Sequence, residues 1–287
     1  MTDRARLALL LAPALVVLGG LFLTGLGLTL LRSLHYAPAL GETSPNLSAY
    51  TAVLSSPGFL RSFGVSLWIA TASTLIAACL ALATALLLRQ TFPGRAVIGF
   101  LVQLNLTIPH LVGAIGLAYL LSQSGAFARL AYSADLISGP QDFPALTQDP
   151  HAIGIILLYV WKELPFITLI LLANLQTLGD DHEATARSLG ATRWQAFRHV
   201  LLPMLMPALA AASALVFAFA FGAYEVPLVL GAYAPKALPV LAWQAWTDTD
   251  LATRPQAMAM AVIVALIGLG LLLIYARLLR AGADGAR

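Results

Sequence analysis

The chain has 287 residues, of which 60% are hydrophobic and 10% charged, with a formal net charge of +3. A soluble globular chain carries about 25% charged residues, so a water-facing surface of the ordinary kind is excluded. The one cysteine, Cys79, excludes a disulfide framework or a thiolate metal cluster. The basic residues stand singly between apolar runs rather than in a patch, which argues against nucleic acid and leaves membrane orientation as the reason for the positive balance.

A hydrocarbon core about 30 Å thick takes roughly 20 apolar helical residues to cross. Six runs meet that length, and they predict helices over Leu7 to Leu31, Phe63 to Leu88, Ala96 to Leu121, Ala152 to Leu175, Met204 to Leu230 and Ala257 to Leu279. The expected fold is all-α and polytopic: one membrane domain over residues 1–287, with core spans at about 60–280. Ala37-Pro38-Ala39 mimics a signal-peptidase site after the first run. That run exceeds the roughly 7 to 15 residues of a signal h-region, so it is read as a retained span.

Lysine and arginine near spans favour the cytoplasmic side. Arg4, Arg6, Arg89, Arg95, Arg187, Arg193, Arg198, Arg277, Arg280 and Arg287 fall on one side, against Arg32, Arg61, Arg129, Lys236 and Arg254 on the other. Both termini are therefore expected in the cytoplasm. The outward segments are too short for separate domains and carry proline, aromatics and single charges, as short interfacial helices and reentrant loops do.

Polar groups inside a span are costly and mark bundle interiors or aqueous paths. The third run holds Asn105, Thr107, Pro109 and His110, followed by Gly113 and Gly116, which allow close helix approach. In the fourth, Trp161-Lys162-Glu163-Leu164-Pro165 sets opposite charges beside a proline that releases a backbone carbonyl. The fifth offers Tyr224 and Glu225 before Pro227. Asn105, His110, Lys162, Glu163, Tyr224 and Glu225 are the candidate solute-pathway residues, each with the alternative of satisfying a neighbouring helix. Two carboxylates against one amine favour a cationic solute over an anion.

Between the fourth and fifth runs, the segment at about 177–203 contains two short helical stretches. Asp180 or Asp181 is placed to cap the first, Gly190 to end it in the left-handed conformation, and Thr192 to cap the second, with Pro203 marking entry to the fifth span. The bend sets Ala184, Leu189, Trp194 and Phe197 beside Arg187, Arg193 and Arg198, a mixture suited to another protein's groove. This segment resembles the EAA loop of ABC importer permeases, whose pattern is E-A-A, three residues, glycine, nine residues, then I-x-L-P. Counting from Gly190, the terminal tetrad falls on Val200-Leu201-Leu202-Pro203, while the glutamate position is Ala184 and Glu183 lies one residue earlier. The resemblance extends over nearly the whole chain and is nearest to permeases of the polyamine, sulfate, molybdate, iron and thiamine group.

The resemblance implies that Glu183, Ala184, Arg187, Leu189, Gly190, Arg193, Trp194, Phe197, Val200 and Pro203 dock on an ATP-binding subunit. It also implies a second permease subunit, the same or paralogous, and an extracytoplasmic solute-binding protein. No G-x-x-x-x-G-K-[ST] loop occurs in the chain, so ATP and Mg are expected on the partner, with no cofactor, metal or catalytic residue here. The polar residues make a polyamine or thiamine the favoured solute. A secondary transporter would share the intramembrane Glu and Lys but gives no reason for the Gly190 to Pro203 spacing. An intramembrane enzyme lacks both H-E-x-x-H and G-x-S-x-G.

Overall fold

A computed structural model describes residues 3–38, 41–179 and 181–284. These residues are helical, with a single bridge pair, Ala37 and Glu42, as the extended structure among them. Six helices are long and apolar enough to cross a membrane. The described residues form two compact units.

One unit takes its residues from Met1–Leu60 and Leu241–Ala265. Its first helix, α1 (Asp3–Ser33), is apolar on every side, and no residue of its most apolar membrane-length window is buried. An all-round apolar helix of this kind is suited to lipid or to another subunit. At the end of α1 the Ser33 and Tyr50 hydroxyls share a hydrogen bond of 2.7 Å, tying it to α2 (Ser48–Ser55). Also in this unit, the Arg32 and Arg254 guanidiniums lie 5.8 and 5.0 Å from the centroid of the Trp246 ring.

The other unit comprises Arg61–Val240 and the described residues that follow Ala265. Its core is the contact of three long helices: α3 (Pro57–Arg89), α7 (Ile153–Leu178) and α10 (Leu202–Gly222). Ala77, Ala81 and Ala85 recur every fourth residue and so line one face of α3. That stripe packs with Ile167, Leu171 and Leu175 of α7 and Leu205, Ala212 and Val216 of α10. In a membrane, hiding apolar side chains from lipid gains little, so small residues that permit close packing carry helix association. At the other end, the buried Asp149 carboxylate accepts the N–H groups of His151 and Ile153 and fixes where α7 begins.

Two expected spans are interrupted. In place of one helix over Ala96 to Leu121, α4 (Arg95–Leu104) tightens into a 3₁₀ turn, Asn105–Thr107. The chain then extends through Ile108 and restarts as α5 (His110–Leu121). Pro109 disfavours a helical residue before it and has no N–H to carry the ladder across. Past α5, α6 (Ala126–Ser133) completes the membrane-length stretch His110–Ser133. The fifth span likewise ends at Gly222 and restarts after Ala223 and Tyr224 as α11 (Glu225–Leu230). By contrast, Pro165 sits within an unbroken α7. Gly113 packs tightly, since a Cβ there would lie 3.1 Å from Leu158, whereas Gly116 faces open space and its expected role in close approach does not hold.

Candidate functional site

The connector after α7 is built from local signals that work as the sequence predicts. Its first helix, α8 (Asp181–Ser188), begins with Asp181 in the first turn; Asp180 lies outside the described residues, so its expected capping role does too. The helix ends in a Schellman arrangement: Ala191 N–H donates to the Ala186 carbonyl at 3.1 Å and Gly190 N–H to the Arg187 carbonyl at 3.0 Å. Gly190 adopts φ +91°, the left-handed region. Thr192 then caps α9 (Arg193–Ala196) in a capping box: its hydroxyl accepts the Gln195 N–H, while Gln195 Oε1 accepts the Thr192 N–H at 2.8 Å.

Where Pro203 was expected to mark a new entry, the helix is already continuous from Arg193 to Gly222. A π-helical turn over Phe197–Leu201 joins α9 to α10. The ladder is already widened there, which accommodates a proline without an N–H at the second position of α10. The second short helix is thus the extended end of a core helix rather than a separate piece.

The surface of this bend is sharply divided. Leu189 is 84% exposed and Trp194 63% exposed, with Ala184, Arg187, Arg193 and Pro203 also on the surface. The Phe197 ring touches that of Trp194 at 5.4 Å between centroids but is half-buried against the α3–α7–α10 core, and Val200 is half-buried as well. Glu183 turns inward, and its carboxylate pairs with the Arg89 guanidinium at 3.0 Å, where α3 ends.

The intramembrane residues converge at the interruption of the third span. Lys162 reaches from α7 to two carbonyls at the interruption, donating to Asn105 O at 2.5 Å, which also accepts the Ile108 N–H, and to Ile108 O at 2.6 Å. Asn105 returns the contact by donating its amide to the Trp161 carbonyl. Next to it, His110 at the start of α5 meets the buried Glu163 carboxylate at 3.1 Å. Two residues that sequence reasoning missed complete the group. The Phe219 ring lies tilted against His110, with 4.8 Å between centroids, and meets the Tyr159 ring edge-on at 6.3 Å. Tyr159 is fully buried with no protein hydrogen-bond partner for its hydroxyl. Both lie in apolar runs that look like lipid-facing sequence. Tyr224 and Glu225 stand exposed at the second interruption, between α10 and α11.

A preformed exposed bend on a continuous core helix, joined to a bundle with two broken spans, agrees with the family match. Residues 73–281 match the model of the binding-protein-dependent transport system inner membrane component. The chain belongs to that family. Among its relatives, the inner membrane ABC transporter permease protein YcjO of Escherichia coli is 29% identical over 208 residues, covering 70% of each chain. The sulfate transport system permease protein CysT of Escherichia coli is 31% identical over 176 residues, covering 61% of this chain and 60% of its own. In structure, a chain of a bacterial ABC transporter that imports the acidic polysaccharide alginate superposes with a TM-score of 0.77 at 18% identity, covering 97% of this chain and 96% of that one. This permease is therefore a multi-pass inner membrane protein of an ABC importer.

Proposed function

We propose that this permease forms half of the solute path of an ATP-driven importer and receives the movement of a separate ATP-binding subunit through α8 and α9. The observation that carries the reading is the pairing of exposed Leu189 and Trp194 on a bend whose second helix runs unbroken into the core as α10. Force applied to that surface has a rigid route into the bundle. In this reading α8 and α9 and both termini face the cytoplasm. The partner hydrolyses ATP with Mg, a second permease subunit completes the path, and an extracytoplasmic binding protein delivers the solute. A secondary transporter gives no use for an exposed apolar bend of this kind.

The solute we propose is a small cation of the polyamine or thiamine kind. Lys162, the cationic group at the polar junction, is committed to backbone carbonyls and the buried Glu163 carboxylate meets His110, which leaves the exposed carboxylate of Glu225, at the start of α11, as the acidic group offered to solute. Glu225→Gln should lower uptake of radiolabelled putrescine or thiamine into cells while the amount of inserted permease stays constant. Uptake equal to wild type for whichever compound is carried would remove Glu225 from the path.

Docking is tested at Gly190. A Cβ there meets nothing within 4 Å, so a substitution acts through φ +91° alone. A β-branched residue in that region costs about 1–3 kcal/mol, so Gly190→Val should leave insertion intact and reduce the ATP-binding subunit that co-purifies with the permease. Undiminished co-purification would make the bend a passive connector.

A further inference from the structure

At the glutamate position of the docking motif this chain has Ala184, and the acidic group has moved one residue back to Glu183. A shift of one residue turns a side chain by about 100° around a helix, and here it turns Glu183 away from the exposed face carrying Leu189 and toward the bundle. The carboxylate meets the last residue of α3, Arg89, at 3.0 Å, across 94 positions of sequence. That end of α3 is itself held: the Arg95 guanidinium donates from Nε to the Leu88 carbonyl at 2.8 Å, closing the turn into α4. The side chains of Arg89 and Glu183 are only 20% and 28% exposed.

We infer that Arg89 and Glu183 form a strut that transmits movement of α8 to α3, in parallel with the covalent route from α9 into α10. This rests on the docking reading above and assigns Glu183 a positioning role inside the permease rather than a contact with the ATP-binding subunit. The geometry supplies the reason. The first docking helix, α8, is separated from the second by Gly190 and from α7 by Gly179 at φ +66°, so neither neighbour drives it as a continuous helix. Packing on α9 and on the Phe197–Leu201 turn links α8 to α10, and the Arg89–Glu183 pair adds a tie to α3. With it, the alanine-faced helix α3 is pulled with α8, and two of the three core helices are driven from one docking surface.

The test uses the purified complex with its ATP-binding subunits, with Cys79→Ala as background. Spin labels are attached at Leu87→Cys near the end of α3 and Ser188→Cys at the end of α8. Dipolar EPR compares the nucleotide-free state with the vanadate-trapped Mg-ATP state. With the strut intact, the separation should change by no more than about 2 Å, an ordinary helix shift. Arg89→Gln and Glu183→Gln should each broaden the distribution and move it beyond that limit, and the exchanged pair Arg89→Glu with Glu183→Arg should restore the narrow separation. Unaltered distances in Arg89→Gln would overturn the strut. Loss of the ATP-binding subunit from Glu183→Gln but not from Arg89→Gln would also overturn it, by assigning the carboxylate to the partner. Failure of the unsubstituted permease to retain an ATP-binding subunit would overturn the docking reading itself, and is seen before any variant is made.

Discussion

The docking bend and the polar junction solve opposite problems with the same kind of residues. At the bend, apolar groups are left outside: Leu189 and Trp194 face solvent although the backbone around them is fully capped. At the junction, polar groups are taken inside: Lys162, Glu163 and Asn105 are each less than a tenth exposed and each has a partner on another helix. A surface that spends nothing on internal satisfaction of its side chains is available to a partner. At the junction, Lys162 and the Asn105 amide spend their bonds on backbone carbonyls and so hold a broken backbone in place. Exposure, rather than residue type, separates the two roles.

The largest effect that would break this contrast is expected at Lys162. Its ammonium bonds two carbonyls at the interruption of the third span, of which Asn105 O keeps the Ile108 N–H when it is lost; a buried carbonyl left without a partner costs about 1–3 kcal/mol. Lys162→Met keeps the length and loses both bonds, so the permease should fail to accumulate, or should lose its thermal transition in detergent. Normal expression and melting would mean that water or lipid headgroups reach those carbonyls, and Lys162 would return to the candidates for the solute path.

An intermediate effect sharpens the division within the bend itself. Trp194 is exposed and Phe197 is half-buried against the α3–α7–α10 core, although their rings touch. Trp194→Ala should reduce affinity for the ATP-binding subunit by about 2 kcal/mol, as loss of an interface hot spot does, without moving the melting temperature of the isolated permease. Phe197→Ala should lower both. Equal behaviour of the two variants in a paired binding and melting measurement would show that the exposed and buried sides of the bend are one structural unit.

How much of this was legible in the sequence follows from the range of the interactions. Gly190, Thr192 and Gln195 act within six positions of one another, so spacing alone gives the bend, its positive φ and its capping box. The apolar runs give the number of membrane-length helices for the same reason. The interruptions were harder to read: Pro109 breaks its helix and Pro165 does not, although the carbonyls the two prolines free, Asn105 O and Trp161 O, are received across one contact, by Lys162 and by the Asn105 amide. Those pairings are set by residues more than fifty positions away. Arg89, Tyr159 and Phe219 were invisible likewise, since each acquires its role from a helix distant in sequence. The inward turn of Glu183 also needed the structure, because a one-residue shift in a motif does not tell which group waits on the other face.

The smallest expected effect tests whether the bend is as local as its legibility implies. Thr192 is exposed, and the part of its side chain is to accept the Gln195 N–H and so start α9. Replacing a threonine cap by alanine costs about 1 kcal/mol, too little to unfold a bundle whose core lies along α3, α7 and α10. That cost is enough to fray the first turn of the Arg193–Gly222 helix, since helix ends fray first. Thr192→Ala should therefore leave insertion and melting unchanged and weaken retention of the ATP-binding subunit by a few-fold. Thr192→Ser, which keeps the accepting oxygen, should behave as wild type. If alanine and serine retain the subunit equally, α9 is held by its continuity with α10 rather than by its cap. The docking surface would then be part of the core, and the contrast between the two regions would be one of exposure alone.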